Sequence, residues 1–88
     1  MPIDKPIVIQ RIKQIITDKL DLGITPDKIG DEDGFLSKVG MDSMGFIELR
    51  FHCEEEFQIK VGDDEFAPSN FRNCETLSSY ILRKKNGG

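Results

Sequence analysis

Apolar residues recur at helical spacing in three separate stretches of this chain. Val8, Ile12 and Ile16 follow one another at i, i+4 and i+8, with Ile9, Ile15 and Leu20 widening the stripe. Arg11, Lys13, Gln14, Asp18 and Lys19 lie mostly off it, so an amphipathic helix is predicted over residues 6–20, fraying near Asp21–Gly23. Pro6 suits its first turn, where a missing N–H costs nothing. Phe46, Leu49, Cys53 and Phe57 recur at i, i+3, i+7 and i+11 and predict a second helix over 42–57, with Asp42 as N-cap. Met44, Ile47 and Phe51 form another apolar stripe beside that one. A last helix is predicted from about Cys74 to Lys84, capped by Asn73, with Leu77, Tyr80 and Ile81 facing inward.

The segments between are less regular. Residues 21–41 contain Gly23, Gly30, Gly34 and Gly40, a Thr25-Pro26-Asp27 turn signal, and scattered apolar anchors. Leu22, Ile24, Ile29, Phe35, Leu36 and Val39 are expected to pin this long connection to the core. A connection of this length in a small domain is usually functional or holds short helices. Ile59-Lys60-Val61 alternates but has no convincing strand partner, and residues 63–67 predict a short helical turn around Phe66 that Pro68 breaks. The expected fold is all-α: three main helices and a short fourth helical turn, in an up-down bundle with a long first connection.

Eighty-eight residues suffice for one domain, here 1–88 with its core at about 5–84 and residues 85–88 as a frayed tail. The net charge of −4 argues against nucleic-acid binding. Its placement says more. Residues 42–66 hold eight acids against Arg50 and Lys60, while residues 1–20 and 67–88 are each net basic. An acidic block of this kind serves solubility or a basic partner. The longest apolar run near the N-terminus, Ile7-Val8-Ile9, is far short of the ~18 residues of a membrane span, and the opening residues lack the marks of a signal peptide. A monomeric, cytoplasmic protein is expected.

Ser43 stands at the mouth of the second helix, just after Gly40-Met41-Asp42. Free N–H groups and the positive dipole end favour a phosphate there, so the hydroxyl could carry a phosphodiester. The commoner meaning of an Asp-Ser pair at a helix start is an ordinary cap. A nucleophilic role would require a nearby base. The single histidine, His52, lies nine residues on, on the opposite side of the helix and roughly 13 Å away at ~1.5 Å per residue. Glu48 is no better placed, so any chemistry at Ser43 needs another protein to activate it.

Gly40-Met41-Asp42-Ser43-Met44, followed by Ile47-Glu48-Leu49 and Glu54-Glu55-Glu56-Phe57, resembles the acyl carrier proteins, whose signature is a Gly-x-Asp-Ser-Leu segment. The resemblance extends from the first helix through Asn70-Phe71-Arg72 to Tyr80-Ile81. It implies a carrier rather than an enzyme, with 4′-phosphopantetheine attached to Ser43 from coenzyme A by a magnesium-dependent phosphopantetheinyl transferase. Acyl groups would ride as thioesters on the arm's thiol. Asp42 would help the transferase engage its metal and cofactor. The second helix would be the one read by partners: acyl- or aminoacyl-loading ligases or transferases, and synthase enzymes with basic docking patches. Met44, Ile47 and Phe51, rimmed by Glu48, Glu54 and Glu55, would then form the docking surface. The alternative, strongest for Phe51, is packing beneath the long connection with Phe35 and Leu36.

The context expected is fatty acid, polyketide or related biosynthesis. Ser37-Lys38 before the motif and Arg50 within the helix depart from the general carrier of fatty acid synthesis. Pro68-Ser69-Asn70-Phe71-Arg72 resembles discrete carriers loaded with acids or amino acids by an adenylating ligase, so an aminoacyl or peptidyl carrier is one alternative. An unmodified carrier fold serving only as an interaction subunit is the other alternative. No resident metal is expected, because placing Gly34 at the sixth position of a calcium loop puts Ile29 and Gly40 where acids are required. Cys53 and Cys74 are too few for a disulfide scaffold, and both are expected to be buried thiols.

Overall fold

The computed structural model describes residues 4–20 and 22–87. Helix α1 spans Lys5–Lys19, α2 spans Ser43–Phe57 and α3 spans Cys74–Gly87; all regular structure among the described residues is helical. The long first connection holds two short pieces, a 3₁₀ turn at Pro26–Lys28 and a π turn at Phe35–Val39. The expected fourth helical turn is a single one, closed where the N–H groups of Glu65 and Phe66 both donate to the Gly62 carbonyl, at 2.9 and 3.0 Å. The three-helix bundle expected from periodicity is therefore present. The fraying expected at Asp21 and the end of the tail at Gly88 fall outside the described residues.

Helix α1 packs against both other helices, and its inward stripe of Val8, Ile12 and Ile16 is fully buried. Leu49, Cys53 and Phe57 meet it from α2; Cys74, Leu77, Tyr80 and Ile81 meet it from α3. Val61 and Phe71 complete the core from the segment joining those helices. The radius of gyration, 11.8 Å, is close to the ~12 Å expected of a single domain of this length.

Caps set the helix boundaries. Asp4 precedes α1 and its carboxylate accepts from the Ile7 N–H, so the helix begins one residue before Pro6. Asn73 and Thr76 exchange side-chain bonds at the head of α3: Asn73 Oδ1 accepts the Thr76 N–H and Thr76 Oγ1 accepts the Asn73 N–H. Helix α3 continues past the expected end at Lys84 to Gly87, and Lys85 Nζ donates to the Phe57 carbonyl at 2.8 Å, tying its last turn to the end of α2.

Two expectations about the core are corrected. Leu36, placed among the anchors, is 71% exposed, because the π turn buries Phe35 and directs the next side chain outward. Ile29 and Phe35 are the buried anchors of that connection; Leu22, Ile24 and Val39 pack partly against the core. Phe46 is only half-buried, since the fully buried position at this turn of α2 belongs to Gly45.

Candidate functional site

The approach to Ser43 is a sequence of backbone stops. The π turn ends at Gly40, whose φ of 81° lies in the left-handed region where a Cβ is disfavoured. The Phe35 carbonyl accepts from the N–H groups of both Gly40 and Met41, which closes the turn. Met41 is then buried, anchoring the chain directly ahead of the helix. Asp42 is extended, and its Oδ1 accepts the Gly45 N–H at 2.9 Å, as the expected N-cap. Ser43 is the first residue of α2 and is exposed.

The first bond of the helix runs from the Phe46 N–H to the Asp42 carbonyl, so the Ser43 and Met44 N–H groups have no protein acceptor among the described residues. Those donors and the helix dipole favour a negative charge on the serine side chain. An exposed hydroxyl on a buried, hydrogen-bonded pedestal fits a phosphodiester-linked arm. It does not fit a self-sufficient nucleophile. His52 is half-buried and sits edge-on to the Phe51 ring, 5.3 Å between centroids, well down the helix. No group of three or more His, Cys, Asp or Glu among the described residues is arranged to hold a metal.

The second apolar stripe of α2 is uncovered. Met44, Ile47 and Phe51 are 65%, 53% and 54% exposed, and Leu36 adds a fourth exposed apolar side chain from the preceding connection. Packing of Phe51 beneath that connection is therefore not what the fold does with it. The acids around the stripe divide into two kinds. Glu48 and Glu55 are exposed, and their carboxylates have no protein partner among the described residues. Glu54 is half-buried, and its Oε2 accepts the Val61 N–H at 2.8 Å, so it holds the segment after α2. Glu56 pairs with Arg11 at 2.6 Å. Arg50 does not add a free positive charge to this face. Its Nη2 donates to the Val61 carbonyl and to Asp63, and the guanidinium lies 5.0 Å from the Phe66 ring centre.

Beside the serine's helix lies an open cavity of about 390 Å³. Phe46, one turn beyond Ser43, lines it from α2; Leu36 and Ser37 line it from the π turn; Phe66, Ala67, Pro68, Phe71 and Arg72 line it from the segment before α3. The two loop walls are joined where the Phe35 N–H donates to the Arg72 carbonyl at 2.8 Å. Sequence reasoning missed this cavity and, with it, the positions of Gly45, Leu36 and Arg72. Gly45 could have been noticed, because an interior helix glycine costs ~1 kcal/mol relative to alanine and signals a close approach. Leu36 and Arg72 carried no local signal of their positions.

The cysteines are free and buried, as expected. Burial pushes the Cys53 thiol well above its ordinary range and Cys74 up to about 12, despite the nearby Lys13 charge. No described helix is long and apolar enough to cross a membrane.

Comparison with known proteins places this arrangement among relatives. Residues 10–81 match a family model described as a phosphopantetheine attachment site. An acyl carrier protein of Bdellovibrio bacteriovorus is 31% identical over 74 residues, covering 84% of this chain and 90% of the relative. An acyl carrier protein of Buchnera aphidicola is 43% identical over 77 residues, covering 88% and 90%. One from Zymomonas mobilis is 42% identical over 55 residues, covering 62% and 68%.

Proposed function

The chain belongs to the acyl carrier protein family, a family of carriers rather than enzymes whose group is covalent 4′-phosphopantetheine, and on that premise we propose that Ser43 bears the arm. The observation that carries this reading is the exposed Ser43 hydroxyl at a helix start whose first N–H groups have no acceptor among the described residues. The arm would supply a thiol that holds an acyl group as a thioester. Ser43 Oγ would form the phosphodiester as the pyrophosphate bond of coenzyme A breaks and 3′,5′-ADP leaves. The hydroxyl proton passes to the transferase, since the single histidine, His52, lies well down the helix from the serine. Asp42 keeps Oδ1 on the Gly45 N–H, leaving Oδ2 to face the transferase's magnesium.

Carriage of acyl intermediates in fatty acid, polyketide or related biosynthesis is the context we favour over aminoacyl carriage. The cavity beside α2 is lined mainly by hydrocarbon, which suits an acyl chain better than a charged amine. Partners dock on Met44, Ile47 and Phe51, with Glu48 and Glu55 steering their basic patches. Glu54 supports that surface from behind through Val61. Docking is weak and exchangeable, while the covalent arm keeps the cargo at high local concentration at each enzyme. The protein works as a cytoplasmic monomer in this reading.

The test is intact mass after incubation with coenzyme A, magnesium and a broad-specificity phosphopantetheinyl transferase. Wild type gains one arm and Ser43→Ala gains none. A wild type that stays unmodified leaves only the interaction-subunit alternative.

A further inference from the structure

Arg72 is set apart from the other arginines of the chain. Arg11 pairs with Glu56, Arg50 with Asp63 and the Val61 carbonyl, and Arg83 donates to Asn70 Oδ1. The Arg72 guanidinium makes no ion pair or hydrogen bond among the described residues, yet Arg72 lines the apolar cavity beside α2. Its backbone is held in place by the bond from the Phe35 N–H to its carbonyl. The other polar lining residue, Ser37, comes from the π turn. The cavity's size, about 390 Å³, is in the range of small-molecule sites.

Arg72 is exposed, so its guanidinium stands at the open side of the cavity. A plain hydrocarbon chain there would satisfy the Phe46, Phe66 and Phe71 walls and leave that charge to water. A carboxylate at the chain's far end would pair with that guanidinium in the planar two-point geometry arginine favours. A terminal amine would meet a like charge there. Ser43 is not among the lining residues, so what Arg72 meets inside the cavity is cargo beyond the phosphate of the arm. We infer that Arg72 is a specificity-determining residue, selecting acyl cargo that carries an acidic group at its distal end. This rests on the reading of Ser43 as the attachment site and of the cavity as the place where cargo lies.

The test loads wild type, Arg72→Gln and Arg72→Lys with octanoyl- or octanedioyl-phosphopantetheine from the matching coenzyme A thioesters. Thioester cleavage by hydroxylamine is followed by intact mass, and amide shifts of Phe46 and Phe71 are recorded by NMR. The diacid is cleaved more slowly than octanoate on wild type, by up to about fivefold, as befits a rim ion pair. Arg72→Gln abolishes that difference and Arg72→Lys keeps part of it, with unchanged thermal unfolding. Equal cleavage of both chains on wild type, or a difference that survives in Arg72→Gln, overturns the role of Arg72 alone. Failure of Ser43 to accept any arm overturns the attachment reading beneath it, and this inference with it.

Discussion

A Cβ on Gly45 would stand 2.7 Å from Met41 Cγ, so the bare backbone at 45 is what allows Met41 to pack beneath the start of α2. The same Cβ would lie 3.5 Å from Asp42 Oδ1, the oxygen that caps the helix. The residues before and after Ser43 are thus interlocked.

Gly45→Ala measures that interlock. Alanine gains ~1 kcal/mol of helix propensity, but overpacking a buried site costs about 1–3 kcal/mol. Met41 is fully buried, and its Cγ is the middle of the side chain rather than a free end, so the clash wins. Urea denaturation should show a net loss of about 1 kcal/mol. In a Met41→Ala background the same change should be neutral or stabilising.

The acids of α2 should separate by function. Glu48→Lys and Glu55→Lys leave the unfolding midpoint nearly unchanged but slow turnover by a basic partner enzyme, most at low salt. Glu54→Ala strips the acceptor from the Val61 N–H and should lower stability by about 1–2 kcal/mol. Equal effects of all three substitutions on partner turnover, with equal stability, would refute the division.

The thiols should be silent in the folded protein. Both cysteines are buried, with Cys74 pushed up to about 12 from an ordinary 9.0 by burial. A thiol reagent at pH 8 should label neither residue natively and both in denaturant. A folded-state value raised above the unfolded one contributes stability that is fully present below pH 9.0 and lost as pH climbs toward about 12. Tyr80, raised by burial and by donating to Glu65, works in the same direction. Alkaline unfolding monitored by circular dichroism should begin above pH 9, and Cys74→Ser should flatten its onset.

Acid should act through Glu65. The Gly62 N–H, the Tyr80 hydroxyl and Lys84 Nζ all donate to it, holding its carboxyl below the ordinary 4.5. A depressed folded-state value contributes stability present above the unfolded one and lost as pH falls through the folded one. Wild type and Glu65→Gln should therefore differ most above pH 4.5 and converge below it in thermal unfolding scans.

Much of this protein was determined within a few residues of chain. Stripes such as Val8, Ile12 and Ile16, and caps such as Asp42 and Asn73, act over one helical turn, so spacing alone reveals them. The exposed serine at the head of an acidic helix was legible for the same reason. Packing decided the rest. The chain does not say locally that Phe35 turns inward and Leu36 outward, because that choice belongs to a π turn held by Arg72, 37 positions away. Nor does it separate Glu54 from Glu55, whose roles diverge only once Val61 folds back onto α2. The cavity joins Leu36, Phe46 and Arg72 from three distant segments, and among the described residues Arg72 meets no acid there. Helical periodicity is a local property of the backbone, whereas the company a charge keeps is settled only when distant segments close around it.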